Sequence, residues 1–83
     1  MVKRYVEVTA HTNVAGNILP VILWWDRDHP YNIDKVLDTR RAASLKAGGV
    51  GLRYTCRIRG QERYLFLEDD GRWFVEVPDH RKA

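Results

Sequence analysis

Three arginines recur within one short stretch of the chain, at Arg53, Arg57 and Arg59. A guanidinium group presents a planar fork of N–H donors that suits phosphate and carboxylate groups. The positions between the arginines hold mostly large apolar residues, namely Leu52, Tyr54, Cys56 and Ile58. This period of two predicts a half-buried antiparallel strand, with the three arginines on its solvent-facing side.

The positive charge of the chain is concentrated around this stretch. Residues 40–63 hold seven basic residues and one acidic residue, whereas residues 1–39 sum to −1 and residues 64–83 to −2, so that the whole chain carries +3. Arg40 and Arg41 precede the predicted strand, and Arg63 follows the turn after it. We therefore expect one region of the molecule to attract an acidic partner.

Two aromatic residues, Tyr64 and Phe66, lie on the next predicted strand. If the two strands pair in simple register, these rings share a face with the arginines. Cations that contact phosphates and rings that stack on bases are the features of a single-stranded nucleic-acid platform. The alternative is a solvated strand face on which Glu62 and Glu68 pair with the arginines. The predicted nucleic-acid-binding residues are Arg40, Arg41, Arg53, Arg57, Arg59, Arg63, Tyr64 and Phe66.

A second hypothesis depends on the neighbouring tryptophans Trp24 and Trp25. Adjacent residues of a strand point to opposite faces, so at most one of the two can enter a one-sided core. The other is either covered by a loop or a terminus, or exposed as an anchor for a partner. A protein-interaction or assembly domain, pairing through an edge strand or an exposed tryptophan, is therefore the alternative function.

Metal and thiol chemistry is not expected. The soft ligands are Cys56, His11, His29 and His80, and no two of them lie at a recognised zinc spacing. Cys56 belongs to the apolar side of its strand, which predicts a small core residue rather than a nucleophile. We expect no metal and no cofactor.

Other enzymatic chemistry is not expected either. Lys46 precedes the glycines at 48, 49 and 51, whereas a phosphate-binding loop has its lysine after the glycines and at the start of a helix. The acidic residues cluster in turn-like segments, and a chain of 83 residues has little room for a substrate pocket. The sequence therefore predicts no catalytic residues.

The elements that position these residues are short strands. The predicted strands are residues 2–12, 18–26, 31 to about 38, 52–59, 62–68 and 72–77. The predicted turns are residues 13–17, 26–30, 60–61 and 69–71, the last as a type I′ turn because it contains Asp-Gly. Residues 39–47 have the composition of a loop or of a short helical turn, and the glycines at 48–51 that of a mobile bend.

These elements predict an all-β fold of five or six antiparallel strands in meander order. At this size the two edges of such a sheet are commonly hidden by curling into a small barrel. We expect one domain over residues 1–78 and a flexible tail over residues 79–83.

The composition is that of a cytoplasmic protein without membrane contact. The longest apolar run, residues 18–25, contains a proline and is far shorter than the about 20 residues that span a bilayer. The first residues carry charges and do not resemble a signal peptide. A single cysteine excludes an internal disulfide framework.

Residues 20–76 resemble small uncharacterised bacterial β proteins. The shared features are a Trp-containing strand, the segment Ile-Asp-Lys-Val-Leu-Asp at 33–38, a basic loop with glycines, the segment Arg-Tyr-Thr-Cys-Arg-Ile at 53–58 and a closing hairpin at 70–74. This resemblance implies a small β domain that stands alone and has no known activity. The arginine-rich strand face predicts the function, a non-enzymatic binding module with nucleic acid or an acidic protein as its partner.

Overall fold

A computed structural model describes residues 1–43 and 50–79, and every regular element in these two ranges is a β-strand. The strands are β1 (Val2–Thr12), β2 (Ile18–Asp26), β3 (His29–Asn32), β4 (Lys35–Ala43), β5 (Val50–Ile58), β6 (Gln61–Glu68) and β7 (Trp73–Val77). The all-β prediction is confirmed. The count is seven because the strand predicted from residue 31 to about 38 is two strands, separated at Ile33 and Asp34.

All seven strands form one antiparallel sheet in the order β3-β2-β1-β7-β6-β5-β4. The two edge strands, β3 and β4, are consecutive in the chain and are joined only by Ile33 and Asp34. The Ile33 N–H donates to the Val21 carbonyl at 2.9 Å, and the Asp34 N–H donates to the Arg57 carbonyl at 2.8 Å. So short a connection between opposite edges requires the sheet to curl, and the result is a half-barrel.

One face of the curled sheet, here called the inner face, holds the hydrophobic core. Its buried residues are Leu23, Tyr54, Cys56, Leu65 and Leu67. Leu52 and Ile58 pack against this cluster, so every second residue of β5 points inward. The alternation predicted for this strand is confirmed, and it leaves Arg53 and Arg57 on the opposite, outer face.

The outer face carries an aromatic cluster of its own. Phe66 and Phe74 stack with ring centroids 4.8 Å apart and are 4% and 2% exposed. The rings of Tyr5 and Tyr64 lie edge-on to Phe74 and Phe66, respectively. Lys3 places its ammonium group 4.9 Å from the centroid of the Phe74 ring. Both sides of the sheet are therefore partly covered by apolar side chains.

Two hairpin turns differ from the predicted geometry. Ile58 pairs with Gln61, so the β5–β6 loop is Arg59-Gly60, one residue earlier than predicted. Both loop residues have positive φ, 51° and 75°, as a type I′ turn requires. The β6–β7 loop is closed by the Glu68 N–H, which donates to the Arg72 carbonyl at 2.8 Å. Among the residues of this loop only Gly71 has positive φ. That pattern is typical of a type I turn followed by a bulge, not of the predicted type I′ turn.

The alternative of a helical turn near 39–47 is wrong for residues 39–43, because these belong to β4. Thr39 pairs with Tyr54 and Ala42 with Gly51, so cross-strand pairing overrides the local helix propensity. Gly51 is likewise a strand residue rather than part of a mobile bend. Residues 44–49, with the rest of the predicted loop, lie outside the described residues.

The C-terminal end of the sheet agrees with the sequence. β7 ends at Val77, and Pro78 follows it. Residues 80–83, which form most of the predicted tail, lie outside the described residues. Within the described ranges no helix is long and apolar enough to cross a membrane.

Candidate functional site

The ladder between β4 and β5 brings like charges together on the outer face. Arg53 lies directly opposite Arg40, and Arg57 lies directly opposite Lys35. Like charges at directly opposed positions destabilise an antiparallel pair. We call Lys35, Arg40, Arg53 and Arg57 the outer basic face. The like-charge pairs of this face do not stabilise the sheet.

Carboxylates neutralise this face only in part. Asp38 accepts a hydrogen bond from Arg40 Nε at 2.7 Å. In this ion pair the side chain of Arg40 is 61% exposed and that of Asp38 is 42% exposed. Exposed pairs of this kind contribute about 0–1 kcal/mol to stability. Glu62 lies opposite Arg57 in the β5–β6 ladder. In the described part of the chain, the pair with Asp38 is the one ion pair that a residue of the outer basic face forms.

Arg53 joins this face to an exposed aromatic ring. Its guanidinium carbon lies 4.7 Å from the centroid of the Tyr64 ring, which is 51% exposed. The Arg53 Nε is buried and has no hydrogen-bond partner. A buried donor without a partner costs about 1–3 kcal/mol. This unpaired Nε is a cost that accompanies the contact between Arg53 and Tyr64.

The β5–β6 register differs from the predicted one because the turn lies one residue earlier, but it places the aromatic residues and the strand arginines on one face, as expected. Arg53 pairs with Phe66, Thr55 with Tyr64 and Arg57 with Glu62. Tyr64 and Phe66 therefore share the outer face with Arg53 and Arg57. Phe66, however, is covered by its aromatic neighbours and is only 4% exposed, so in this structure it cannot stack on a base.

Three predicted arginines are not part of the outer basic face. Arg59 lies in the turn, with its guanidinium carbon 4.7 Å from the centroid of the Tyr31 ring. Arg63 pairs with Cys56 and therefore lies on the inner side. Arg41 pairs with Leu52, which is also an inner residue, and its guanidinium donates to both carboxylate oxygens of Asp69 at 2.7 and 2.8 Å.

The register of the β5–β6 hairpin explains why Arg59 and Arg63 lie away from the outer basic face. Because the type I′ turn takes Arg59 and Gly60 out of the ladder, β6 begins at Gln61 and its odd-numbered residues point inward. The structure thus brings together Arg40, Arg53, Arg57 and Tyr64, and it adds Lys35. The sequence reasoning missed Lys35 because only the β4–β5 register, which no local pattern specifies, places it opposite Arg57.

The two tryptophans point to opposite sides, as predicted. Trp25 packs against the core on the inner side, and the Arg4 guanidinium lies 3.5 Å from its ring centroid. Trp24 points outward, and its Nε1 donates to the Thr9 hydroxyl at 3.0 Å. Both are half-buried, and side chains of β1 contact each of them. Neither is a fully exposed anchor.

Cys56 has no exposed surface, and burial raises the pKa of its thiol to about 11. A thiol in this state is a packing residue, not a nucleophile. The His29 Nδ1 lies 2.6 Å from Asp26 Oδ1, and this contact is the main cause of the lowered pKa of Asp26. Among the residues the structure describes, no three His, Cys, Asp or Glu side chains are grouped as metal ligands. His80 lies outside those residues.

Comparisons with protein-family models, with curated proteins and with solved structures returned no match to this chain. The resemblance of residues 20–76 to small bacterial β proteins stays a prediction. Function is therefore inferred from the geometry of the fold and its surfaces.

Proposed function

We propose that this protein is a non-enzymatic module that binds nucleic acid, single strands in preference to duplexes, through the outer basic face. The observation that supports this most directly is the pair of like-charge contacts, Arg40 opposite Arg53 and Lys35 opposite Arg57. A phosphate group placed between the members of each pair turns a repulsive contact into two attractive ones. The binding of a polyanion thus explains an arrangement that costs stability in the free protein.

The spacing of the two pairs suits successive contacts along a backbone. Arg53 and Arg57 are four residues apart on β5, which corresponds to about 13 Å in an extended strand. Each has its cationic partner on the neighbouring strand, about 4.8 Å away in the hydrogen-bonding direction. The face therefore offers two separate positions for phosphate groups.

Tyr64 supplies the preference for single strands. It lies opposite Thr55, between the register positions of Arg53 and Arg57, and half of its surface is exposed. A base that stacks on such a ring contributes about 1–3 kcal/mol, and only an unpaired base can present its flat side. The Arg53 guanidinium fixes the ring from one side.

The test is a titration of labelled single-stranded and double-stranded oligonucleotides, followed by fluorescence anisotropy at several salt concentrations. Each phosphate contact on a single strand contributes about −0.7 to the slope of log K against log salt concentration, so the two phosphate positions of the outer basic face predict a slope of about −1.4. Absence of binding at low salt, or binding that salt does not weaken, would exclude this function.

Two double variants separate the outer basic face from net charge. Arg53→Gln with Arg57→Gln removes two outer cations, whereas Arg59→Asn with Arg63→Gln removes two cations of the same hairpin that lie elsewhere. We expect the first double variant to weaken binding at least about tenfold. We expect the second to change it no more than about threefold. Equal losses would mean that overall charge, not this face, attracts the nucleic acid.

Assembly through the open edge of β4 is the second candidate. β4 is an edge strand of nine residues and is long enough to pair with another chain, a second copy or an acidic protein. The irregularity between Val36 and Asp38 interrupts its ladder. Light scattering over a range of protein concentrations tests self-assembly, and a constant monomer mass would exclude it.

A further inference from the structure

The sheet splits between β6 and β7. Their ladder consists of two residue pairs, Phe66–Phe74 and Leu67–Trp73. The part of β6 that precedes Phe66 pairs only with β5, and the part of β7 that follows Phe74 pairs only with β1. The two strands therefore diverge towards one end of the half-barrel, and a cleft opens between them.

The cleft has the size and floor of a small-molecule site. Its volume is about 590 Å³, within the about 300–1,000 Å³ that is typical of ligand pockets. Its floor is apolar and lies on the inner face. The apolar lining includes Leu23, Trp25, Tyr31, Ile58, Leu65 and Val75. The indole and phenol rings add apolar surface to this floor, and each also contacts a guanidinium, Arg4 against Trp25 and Arg59 against Tyr31.

Two arginines line the inner side of this cleft. Arg63 lies opposite Cys56 in the ladder, and Arg59 extends from the turn over the Tyr31 ring. Arg63 donates a hydrogen bond to the side-chain oxygen of Gln61, a neutral partner. Within the described residues neither guanidinium forms an ion pair, so both can bind an anion.

The carboxylates of the lining lie on the other side. They are Glu62 and Glu76, whose ladder partners are Arg57 and Lys3. Both partners belong to the outer face, where Lys3 contacts the Phe74 ring. The cleft is therefore polarised, with its positive charge next to the apolar floor and its negative charge at the outer mouth.

We propose that the β6–β7 cleft binds a small amphipathic anion, an alkyl or aromatic body with one carboxylate or phosphate group. The body packs against Trp25 and Tyr31, which excludes water from apolar surface. The headgroup accepts hydrogen bonds from Arg59 and Arg63, in charge-assisted contacts. This site is separate from the outer basic face and does not depend on the proposed function.

Calorimetric titration with three ligands of equal chain length tests the proposal. The ligands are decanoate, nonyl phosphate and nonyltrimethylammonium, which all carry a nine-carbon alkyl chain, each kept below its micelle concentration. We expect both anions to bind with one-to-one stoichiometry and the cation at least about tenfold more weakly. The comparison of decanoate with nonyl phosphate identifies the preferred headgroup. Equal affinity for the cation, or no saturable binding of either anion, would overturn the proposal.

The chain length of the ligand tests the apolar floor. Octanoate has two methylene groups fewer than decanoate, and each buried methylene group changes affinity about fourfold, so octanoate should bind about 15-fold more weakly. An affinity that does not depend on chain length would mean that the body of the ligand stays in water, which contradicts the proposed site.

Variants of the same hairpin provide matched controls. Arg59→Asn with Arg63→Gln should weaken decanoate binding at least about tenfold, while Arg53→Gln with Arg57→Gln should leave it within about twofold. Asparagine is chosen at position 59 because it tolerates the positive φ of 51° found there. Circular dichroism and urea midpoints confirm that each variant is folded. An unchanged affinity in the folded Arg59/Arg63 variant would disprove the assignment, whatever the outcome with nucleic acid.

Discussion

The hydroxyl of Tyr54 on β5 donates a hydrogen bond of 2.6 Å to the carbonyl oxygen of Ile18, the first residue of β2. Tyr54 is 1% exposed, so the bond is shielded from water. In the sheet, β6, β7 and β1 lie between β5 and β2. The two residues meet only because the sheet curls, and their bond stabilises that curvature.

Replacing Tyr54 with phenylalanine tests the contribution of this bond. The Ile18 carbonyl loses its donor, so we expect the free energy of unfolding to fall by about 1–2 kcal/mol. Urea unfolding followed by tryptophan fluorescence measures the change. Tyr64→Phe is the matched control: its ring is 51% exposed, and a change below about 0.5 kcal/mol is expected. Equal effects in the two variants would show that Tyr54 does not stabilise the curved sheet through its hydroxyl.

Cys56 should be inert in the folded protein. Its side chain has no exposed surface and its thiol pKa is raised to about 11, so thiolate is scarce at neutral pH. A disulfide reagent such as dithiobis-nitrobenzoate should therefore not react with the native protein at pH 8. In urea it should titrate one thiol per chain. Rapid native reaction would contradict the buried position of this residue.

The same thiol predicts a loss of stability in alkaline solution. Its folded pKa of about 11 lies above the ordinary value of 9.0, so the fold favours the protonated form. The stabilising contribution is complete below pH 9 and is lost as the pH rises towards 11. Between these values the wild type should lose about 1.4 kcal/mol per pH unit more than the Cys56→Ala variant. Parallel curves of unfolding free energy against pH would refute this.

Glu68 predicts a response to acid. Its carboxylate accepts hydrogen bonds from the Tyr5 hydroxyl at 2.5 Å and from Lys3 Nζ at 3.2 Å. The bond from Tyr5 is the main cause of its lowered pKa, and Lys3 adds to it. Because the folded pKa lies below the ordinary value of 4.5, the stabilisation is present above that pH and is lost on acidification.

The variant Glu68→Gln should therefore lose less stability than the wild type between pH 7 and pH 3, as measured by urea midpoints at the two values. Glu62→Gln, on the exposed part of the same strand, is the control and should keep the response of the wild type. If Glu68→Gln and the wild type respond alike to acid, the contacts with Tyr5 and Lys3 do not stabilise the fold.

Gly51 occupies a position with no room for a side chain. It pairs with Glu68, and a Cβ atom added to it would overlap the carbonyl oxygen of Leu67. Because the obstacle is backbone, Gly51→Ala should lower the free energy of unfolding by at least about 2 kcal/mol. Gly16→Ala is the control, since its φ is 86° but no atom lies within 4 Å of the added Cβ. We expect about 1 kcal/mol there, and a larger loss at Gly16 than at Gly51 would contradict the close approach of β5 and β6.

The hairpin of β5 and β6 shows how far local patterns reach. The alternation from Leu52 to Ile58 is a property of any half-buried strand, so it predicted the strand and the outward direction of Arg53 and Arg57. The turn was placed one residue late. That error left Arg59 in the strand, whereas it lies in the turn. The inward direction of Arg63 has a different cause, the alternation of β6 itself, in which Tyr64 and Phe66 point outward and the odd-numbered residues inward.

By itself the sequence determined the all-β class, the alternation of β5 and the basic character of the central segment, because each depends on neighbours along the chain. The tertiary structure alone decided that Lys35 faces Arg57, that Phe66 is covered and that β6 and β7 diverge. These relationships depend on which strands pair, in which register and with what curvature. Such long-range choices are set by the packing of side chains far apart in the sequence, and no local pattern records them.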